Sequence, residues 1–359
     1  MSARRSLTDG TFPVLARLYG VQGLMAAGIS FGWSLMWLYW WKQGLSLATM
    51  ALFHGAFFGV AALATLLFRS VPMRAGMAVG LLLRGGSLLA AFFVATPLHL
   101  ALLVVPLSIG LFLFWIPFNV AYFRRTSRDH LALTLGLFFA VFPVLNAVLP
   151  ALAGGLAASA GFFPVFVLAA LFMALGCIPI RGLERDRVPV DLKGALGHRA
   201  RWLMLLEGGW QGVTFVAVPF FTLTFVDRPA EYGGVLSLFG LAGVAASLLL
   251  AWSSDRLHRR RGFLVPITAA MSATTLLAAT STTLLQWEVL NGIASFTAAL
   301  APAFMTAVVL ESGRGVEVKR ISRSLRSREI RQYPGLKAGA SFQDGSQAGA
   351  LRRKGSERR

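Results

Sequence analysis

Ten apolar blocks, each followed by a short polar connection, constrain this chain more than any other feature. They cover residues 18–41, 45–68, 75–95, 98–123, 131–157, 161–180, 202–226, 233–252, 263–281 and 286–310, with ends good to about three residues. A helix needs about 20 such residues to cross roughly 30 Å of hydrocarbon. The apolar residues run in continuous blocks and not at the spacing of a one-faced helix, which points away from a soluble fold. Composition agrees: 56% of residues are hydrophobic and 14% charged, against about 25% charged in soluble domains. The fold class expected is all-α, a polytopic transmembrane helix bundle of about ten spans.

Charge orders the connections. Of the 21 basic residues before position 311, 18 fall in alternate connections. These are Arg4, Arg5 and Arg17, then Arg69 and Arg74, Arg124, Arg125 and Arg128, the stretch 181–201, and Arg256 with Arg259, Arg260 and Arg261. The opposite connections hold only Lys42 and Arg228, and Arg84 lies inside a block. The positive-inside rule makes the basic side, and with it the N-terminus, cytoplasmic. A multi-pass protein of the plasma (inner) membrane is expected. The net charge of +19 is thereby assigned to topology and anionic lipid, with no nucleic-acid partner. The first block is too long for a signal-peptide core and lacks a small-residue cleavage site, so it is expected to stay as a span. Cys177 is the single cysteine, which excludes an intramolecular disulfide.

The polar stretch 181–201 divides the blocks into six and four, giving an expected N-terminal half at 1–180 and a C-terminal half at 202–310. The two are related. Gly59-Val60-Ala61-Ala62 matches Gly243-Val244-Ala245-Ala246 at an offset of 184. Gly20-Val21-Gln22-Gly23 resembles Gly209-Trp210-Gln211-Gly212 at 189, and Pro117 corresponds to Pro302 at 185. Each match joins corresponding spans of the same orientation, the signature of parallel repeats in secondary transporters.

Between spans 8 and 9 runs Trp252-Ser253-Ser254-Asp255-Arg256-Leu257-His258-Arg259-Arg260-Arg261-Gly262. It resembles the Asp-Arg-x-Gly-Arg-Arg loop of the major facilitator superfamily, with His258 where glycine is usual. The corresponding loop of the first half, Arg69 to Arg74, lacks the Asp. Leu149-Pro150-Ala151-Leu152-Ala153-Gly154-Gly155, followed by Ala160-Gly161-Phe162, is similar to the Gly/Pro-rich fifth helix of many members, drug–proton antiporters above all. The resemblance covers residues 1–315 and implies two six-helix halves. It also implies a central cavity faced by spans 1, 4, 5, 7, 8 and 10. Spans 11 and 12 are then expected near 316–365, where 311–359 carries 13 basic and five acidic residues and no apolar block. Two readings stand: a basic, disordered tail against anionic lipid, or an end foreign to the fold through truncation or a shifted reading frame, the second being favoured.

Nothing in the chain matches a nucleotide loop, a paired-cysteine or His-Glu-x-x-His metal signature, or a nucleophile elbow. No enzyme, no metal and no cofactor is expected. Charges inside spans are the informative residues, because burying one in hydrocarbon is costly. Glu207, Trp210 and Gln211 share a face of span 7 at i, i+3 and i+4. Glu207 could take a proton there or pair with a cation; at the interface it could instead pair with Arg199 or Arg201. Arg84 in span 3 is a candidate substrate counter-ion or partner of Glu207, against a role bonded to carbonyls in a peripheral helix. Gln22, Asn119 and Asn146 lie on spans 1, 4 and 5, where substrate contact and helix–helix hydrogen bonding are equal alternatives. Trp33 and Trp37 share a face open to a hydrophobic ligand, whereas Trp40 and Trp41 read as an interfacial belt. The resemblance gives Asp255, Arg256, Arg259 and Arg260 a latch role at the cytoplasmic ends of the helices, with topological anchoring as the alternative.

These residues point to a secondary transporter of a small solute working by alternating access. Protons are the candidate coupling ion, and export is one direction considered. The rival expectation is a truncated or degenerate membrane protein that transports nothing.

Overall fold

The computed structural model describes residues 11–125, 131–190, 202, 205, 206, 208, 209, 212–253 and 260–300. Span 1 is built from Thr11–Gly28, a π turn at Ile29–Trp33, and Ser34–Lys42. Gly44, at φ 84°, turns the chain where an L side chain would be strained. Ser46 then caps span 2, Leu47–Leu67, its Oγ accepting from the Thr49 amide at 3.2 Å. Span 3 is Met73–Ala90 with a 3₁₀ turn at Ala91–Phe93, and span 4 is Pro97–Arg125. The block expected as one fifth span is two helical segments, Leu131–Asn146 and Leu149–Ala160. Pro150 sits at the second position of the second segment, where its missing N–H is tolerated but the preceding turn cannot continue unbroken. Span 6 follows as Phe162–Leu175 with a short turn at Cys177–Ile180. Beyond it lie a π turn at Val213–Ala217 and helix Val218–Thr222 in span 7, Pro229–Ser253 as span 8, Arg260–Ala278 as span 9, and helix 284–300 in span 10.

Among the described residues, seven helices are long and apolar enough to cross a membrane. The chain is thus a multi-pass helical membrane protein. Its connections alternate between a basic end, holding 69–74, 124–125 and 181–190, and a far end, holding 43–46, 161 and 226–228.

Lipid gives no hydrophobic drive between helices, so close packing through small residues holds them together. A methyl added at Gly80 of span 3 would lie 2.7 Å from the Phe114 nitrogen of span 4. Gly32 of span 1 likewise leaves no room against Ala169 of span 6. Spans 3 and 6 thus pack on each other and on spans 4 and 1. Span 8 runs antiparallel to both segments of span 5: Gly233 meets Pro150, Gly240 meets Asn146, and Gly243 would carry a Cβ 3.1 Å from Pro143.

Two findings go beyond the sequence expectations. Trp40 is fully buried and donates from Nε1 to the Ala91 carbonyl at 2.9 Å, so its ring packs inside the bundle near the far ends of spans 1 and 3. Trp41 is exposed. The first part of the 181–201 stretch is docked: strand Arg187–Pro189 pairs antiparallel with Ser70–Pro72, setting Val188 opposite Val71, both buried. The Asp186 carbonyl accepts from the Met73 amide at 2.7 Å, and Arg125 pairs with Glu184. The Arg69–Arg74 loop is thereby held by backbone bonds to this stretch.

Candidate functional site

Both π turns lie inside spans, at 29–33 and 213–217, an offset of 184 that equals the offset of the Gly-Val-Ala-Ala match. A π turn carries one extra residue, which widens the helix and turns its side chains against the regular ladder; such turns are frequent at functional sites. Spans 1 and 7 therefore each carry such a turn, five residues out of step with the offset of 189 that Gly20–Gly23 and Gly209–Gly212 set for these two spans.

On span 1, Gln22 lies one to two turns before the π turn. It is fully buried and donates from Nε2 to the Phe138 carbonyl of span 5 at 2.8 Å, while its Oε1 has no partner. The Tyr19 and Tyr122 hydroxyls meet at 2.7 Å beside it, and the Tyr122 and Phe138 rings stand 4.7 Å apart. Spans 1, 4 and 5 thus converge at Gln22. Asn119, on span 4, is half-buried. Asn146 ends the first segment of span 5, where Gly240 of span 8 crosses it backbone to backbone.

Trp33 closes the π turn. Its ring stands 5.3 Å from Trp37, 5.5 Å from Phe57 and 5.7 Å from His54. Trp37 in turn meets Phe220 of span 7 at 4.9 Å. The shared face of Trp33 and Trp37 is therefore filled by span 2 and span 7 side chains.

Arg84 is buried in span 3 against span 4, where Gly110 leaves room for its stem: a methyl on Gly110 would sit 2.9 Å from the Arg84 Cγ. Among the described residues, its Nε and Nη1 have no hydrogen-bond partner and no ion pair reaches it. It joins neither Gln22, Asn119 nor Trp33 by a hydrogen bond. Glu207, Trp210, Gln211, Asp255, Arg256 and Arg259 lie outside the described residues, as does the side chain of Arg260.

Next to the π turn of span 7 is a cavity of about 250 Å³, lined by Val213, Ala217, Phe220, Phe221, Trp287 and Asn291 among others. Leu47 of span 2 also borders it. Its few polar groups are largely engaged: the Trp287 Nε1 donates to the Thr222 Oγ1 at 2.9 Å, and the Asn291 Nδ2 donates to the Trp287 carbonyl at 3.1 Å. Such a space suits a small apolar group better than a charged one.

Sequence reasoning passed over His54, Ser30, Trp287 and Asn291. His54 carried a usable signal, since it is the only ionisable side chain in Leu47–Leu67. Among the described residues, no group of three or more metal-ligating side chains comes together.

No family model matches the chain, and no curated protein matches it either. Solved structures do. A D-xylose–proton symporter superposes with a TM-score of 0.54 over 90% of this chain and 89% of its own, at 11% identity. A peptide transporter POT, solved with sulfate, gives 0.53 over 88% of this chain and 94% of its own, at 12% identity. At such identities the likeness speaks for the fold alone, an all-α polytopic helix bundle.

Proposed function

We propose that this protein is a secondary transporter that moves a small solute across a membrane by alternating access. The observation that carries the reading is that spans 1 and 7, which correspond in the repeat, each carry a π turn. Irregular turns in corresponding helices of two related bundles are the kind of interruption around which such transporters build a site. The likeness to a sugar–proton symporter and a peptide transporter supports the general role.

The finer reading is as follows. Residues 1–180 and 202–310 act as the two rocking bundles, joined by 181–201, with 311–359 beyond them on the cytoplasmic side. The basic end faces the cytoplasm of a plasma (inner) membrane. Gln22, Asn119 and Asn146 border the solute path from the first bundle, and Trp33 closes it at the far end. Glu207, Trp210 and Gln211 border it from span 7, with Arg84 as a fixed positive charge behind span 4. Asp255, Arg256, Arg259 and Arg260 latch the basic end when the far end opens. The apolar cavity beside Val213 favours a neutral or largely hydrophobic solute. Protons are the coupling ion.

Purified protein in liposomes, offered a broad panel of labelled solutes under an imposed pH gradient, tests the reading. Saturable, gradient-driven flux of at least one solute is expected. Flux no greater than in empty liposomes across the panel would overturn it.

A further inference from the structure

His54 is the eighth residue of span 2, about 10 Å inside the helix start at the far end. Its side chain is 3% exposed, and neither Nδ1 nor Nε2 has a hydrogen-bond partner. A buried imidazole normally holds a bond from at least one nitrogen, which fixes its tautomer, so an orphaned one needs a reason. Packing does not supply it. The ring stands 5.7 Å from Trp33, 5.5 Å from Trp37, 5.9 Å from Phe57 and 5.0 Å from Phe58, a setting that a phenyl ring would fill without polar atoms to satisfy.

The box is placed where movement would open it. Trp37 is one wall, and its other neighbour is Phe220 of span 7, at 4.9 Å. The Trp37 Nε1 is itself buried without a partner. Separation of spans 1 and 7 at the far end would give three orphaned ring nitrogens access to water together. Among the described residues, no charged side chain faces the imidazole. Span 1 presents Trp33 and Trp37, and span 2 presents Phe57 and Phe58. Span 4, packed on span 2, has His99 at its far-end start and Tyr122, Arg124 and Arg125 near the basic end. The described part of span 7, Val213–Thr222, has no titratable group.

We propose that His54 is a proton-binding site whose occupancy is linked to opening of the Trp37–Phe220 contact. This rests on the transporter reading and names the residue that carries its coupling proton. When the contact opens, a ring nitrogen takes a proton from hydronium in the entering water, leaving water behind; the same bond returns the proton to water later. The imidazolium has two donors and is hydrated in the open arrangement, so acid at the far end favours opening. The indole rings lie within the range over which aromatic faces attract a cation, which lets the box tolerate the charge in passing.

The test follows tryptophan emission of the protein in lipid nanodiscs from pH 8 to pH 5, the range in which histidine gains its charge. An imidazolium beside indole quenches it. Wild type is expected to lose emission over this range, His54→Gln to lose that titration, and His54→Phe, which keeps the box filled, to lose it as well. Flat wild-type emission, or an unchanged titration in either variant, would overturn the proposal. In liposomes, His54→Gln is expected to abolish the stimulation of flux by a pH gradient. Flux that keeps the wild-type pH dependence in this variant would overturn the coupling role while leaving transport standing. A His54-dependent titration without flux of any solute would instead sink the transporter reading and leave the proton site.

Discussion

Replacing Gly240 by leucine tests whether spans 5 and 8 must touch backbone to backbone. A Cβ on Gly240 would overlap the Asn146 carbonyl carbon and the Ala147 nitrogen. Both are backbone atoms, so no side chain can swing away and the helices must part. Overpacking of this kind costs about 1–3 kcal/mol, and a backbone obstacle places it near the upper end. Leucine returns up to about 1 kcal/mol of helix propensity over glycine. The net cost is about 2 kcal/mol, or roughly thirtyfold in the population of the closed interface. Gly59 of span 2, the repeat counterpart of Gly243, has nothing within 4 Å of its Cβ position. There leucine meets no obstacle, so Gly59→Leu gains up to about 1 kcal/mol. Thermal unfolding of the two variants in matched detergent, with cross-linking between cysteines at Ala151 and Ser237, which already meet across spans 5 and 8, reads the difference. Gly240→Leu is expected to melt lower and to lose the cross-link, and Gly59→Leu to do neither. Equal melting temperatures with an intact cross-link in both would refute the close-approach argument.

Three further outcomes follow from individual side chains. Arg84→Met removes a buried charge that has no ion-pair partner among the described residues, and leaving a charge uncompensated inside a protein costs about 3–5 kcal/mol; the variant should melt higher but transport less, and unchanged flux would end its counter-ion role. Trp40→Phe leaves the Ala91 carbonyl without its 2.9 Å donor inside the bundle, at a cost of about 1–3 kcal/mol measurable by denaturation in micelles. Val188→Asp buries a carboxylate opposite Val71 and should free the 181–190 stretch, seen as new cleavage by an added protease near Arg185; protection equal to wild type would show that the strand pair does not hold this stretch.

Much of the helix order was legible because crossing a membrane imposes length and apolarity on a segment, and both can be counted. Span 2 was expected at 45–68 and is Leu47–Leu67; span 4 was expected at 98–123 and is Pro97–Arg125. Gln22 was legible as a polar side chain among spans 1, 4 and 5, because a lone amide in an apolar block must find a partner. What the block pattern hides is deviation inside a helix. The π turn at Ile29–Trp33 changes neither length nor hydropathy, so nothing in Ile-Ser-Phe-Gly-Trp announces it. The burial of Trp40 was not legible because indole suits both an interface and a core, and only the structure shows its bond to the Ala91 carbonyl. The strand pairing of 187–189 with 70–72 joins segments 117 residues apart in sequence, a separation that local reading cannot bridge. His54 was passed over, although a titratable side chain alone in an apolar span raises the same question as Arg84 and Glu207.

The central claim is that the two groups of helices exchange which end is open, and paired distances test it most directly. With Cys177→Ser as background, one label pair spans the far end at Gln43 and Asp227, and another spans the basic end at Arg181 and Val265. All four positions are exposed. The account predicts that shifting pH or adding a transported solute lengthens one distance while shortening the other, by several ångströms in opposite directions. Two distances that stay fixed under every condition, or that lengthen together, would contradict alternating access in this protein.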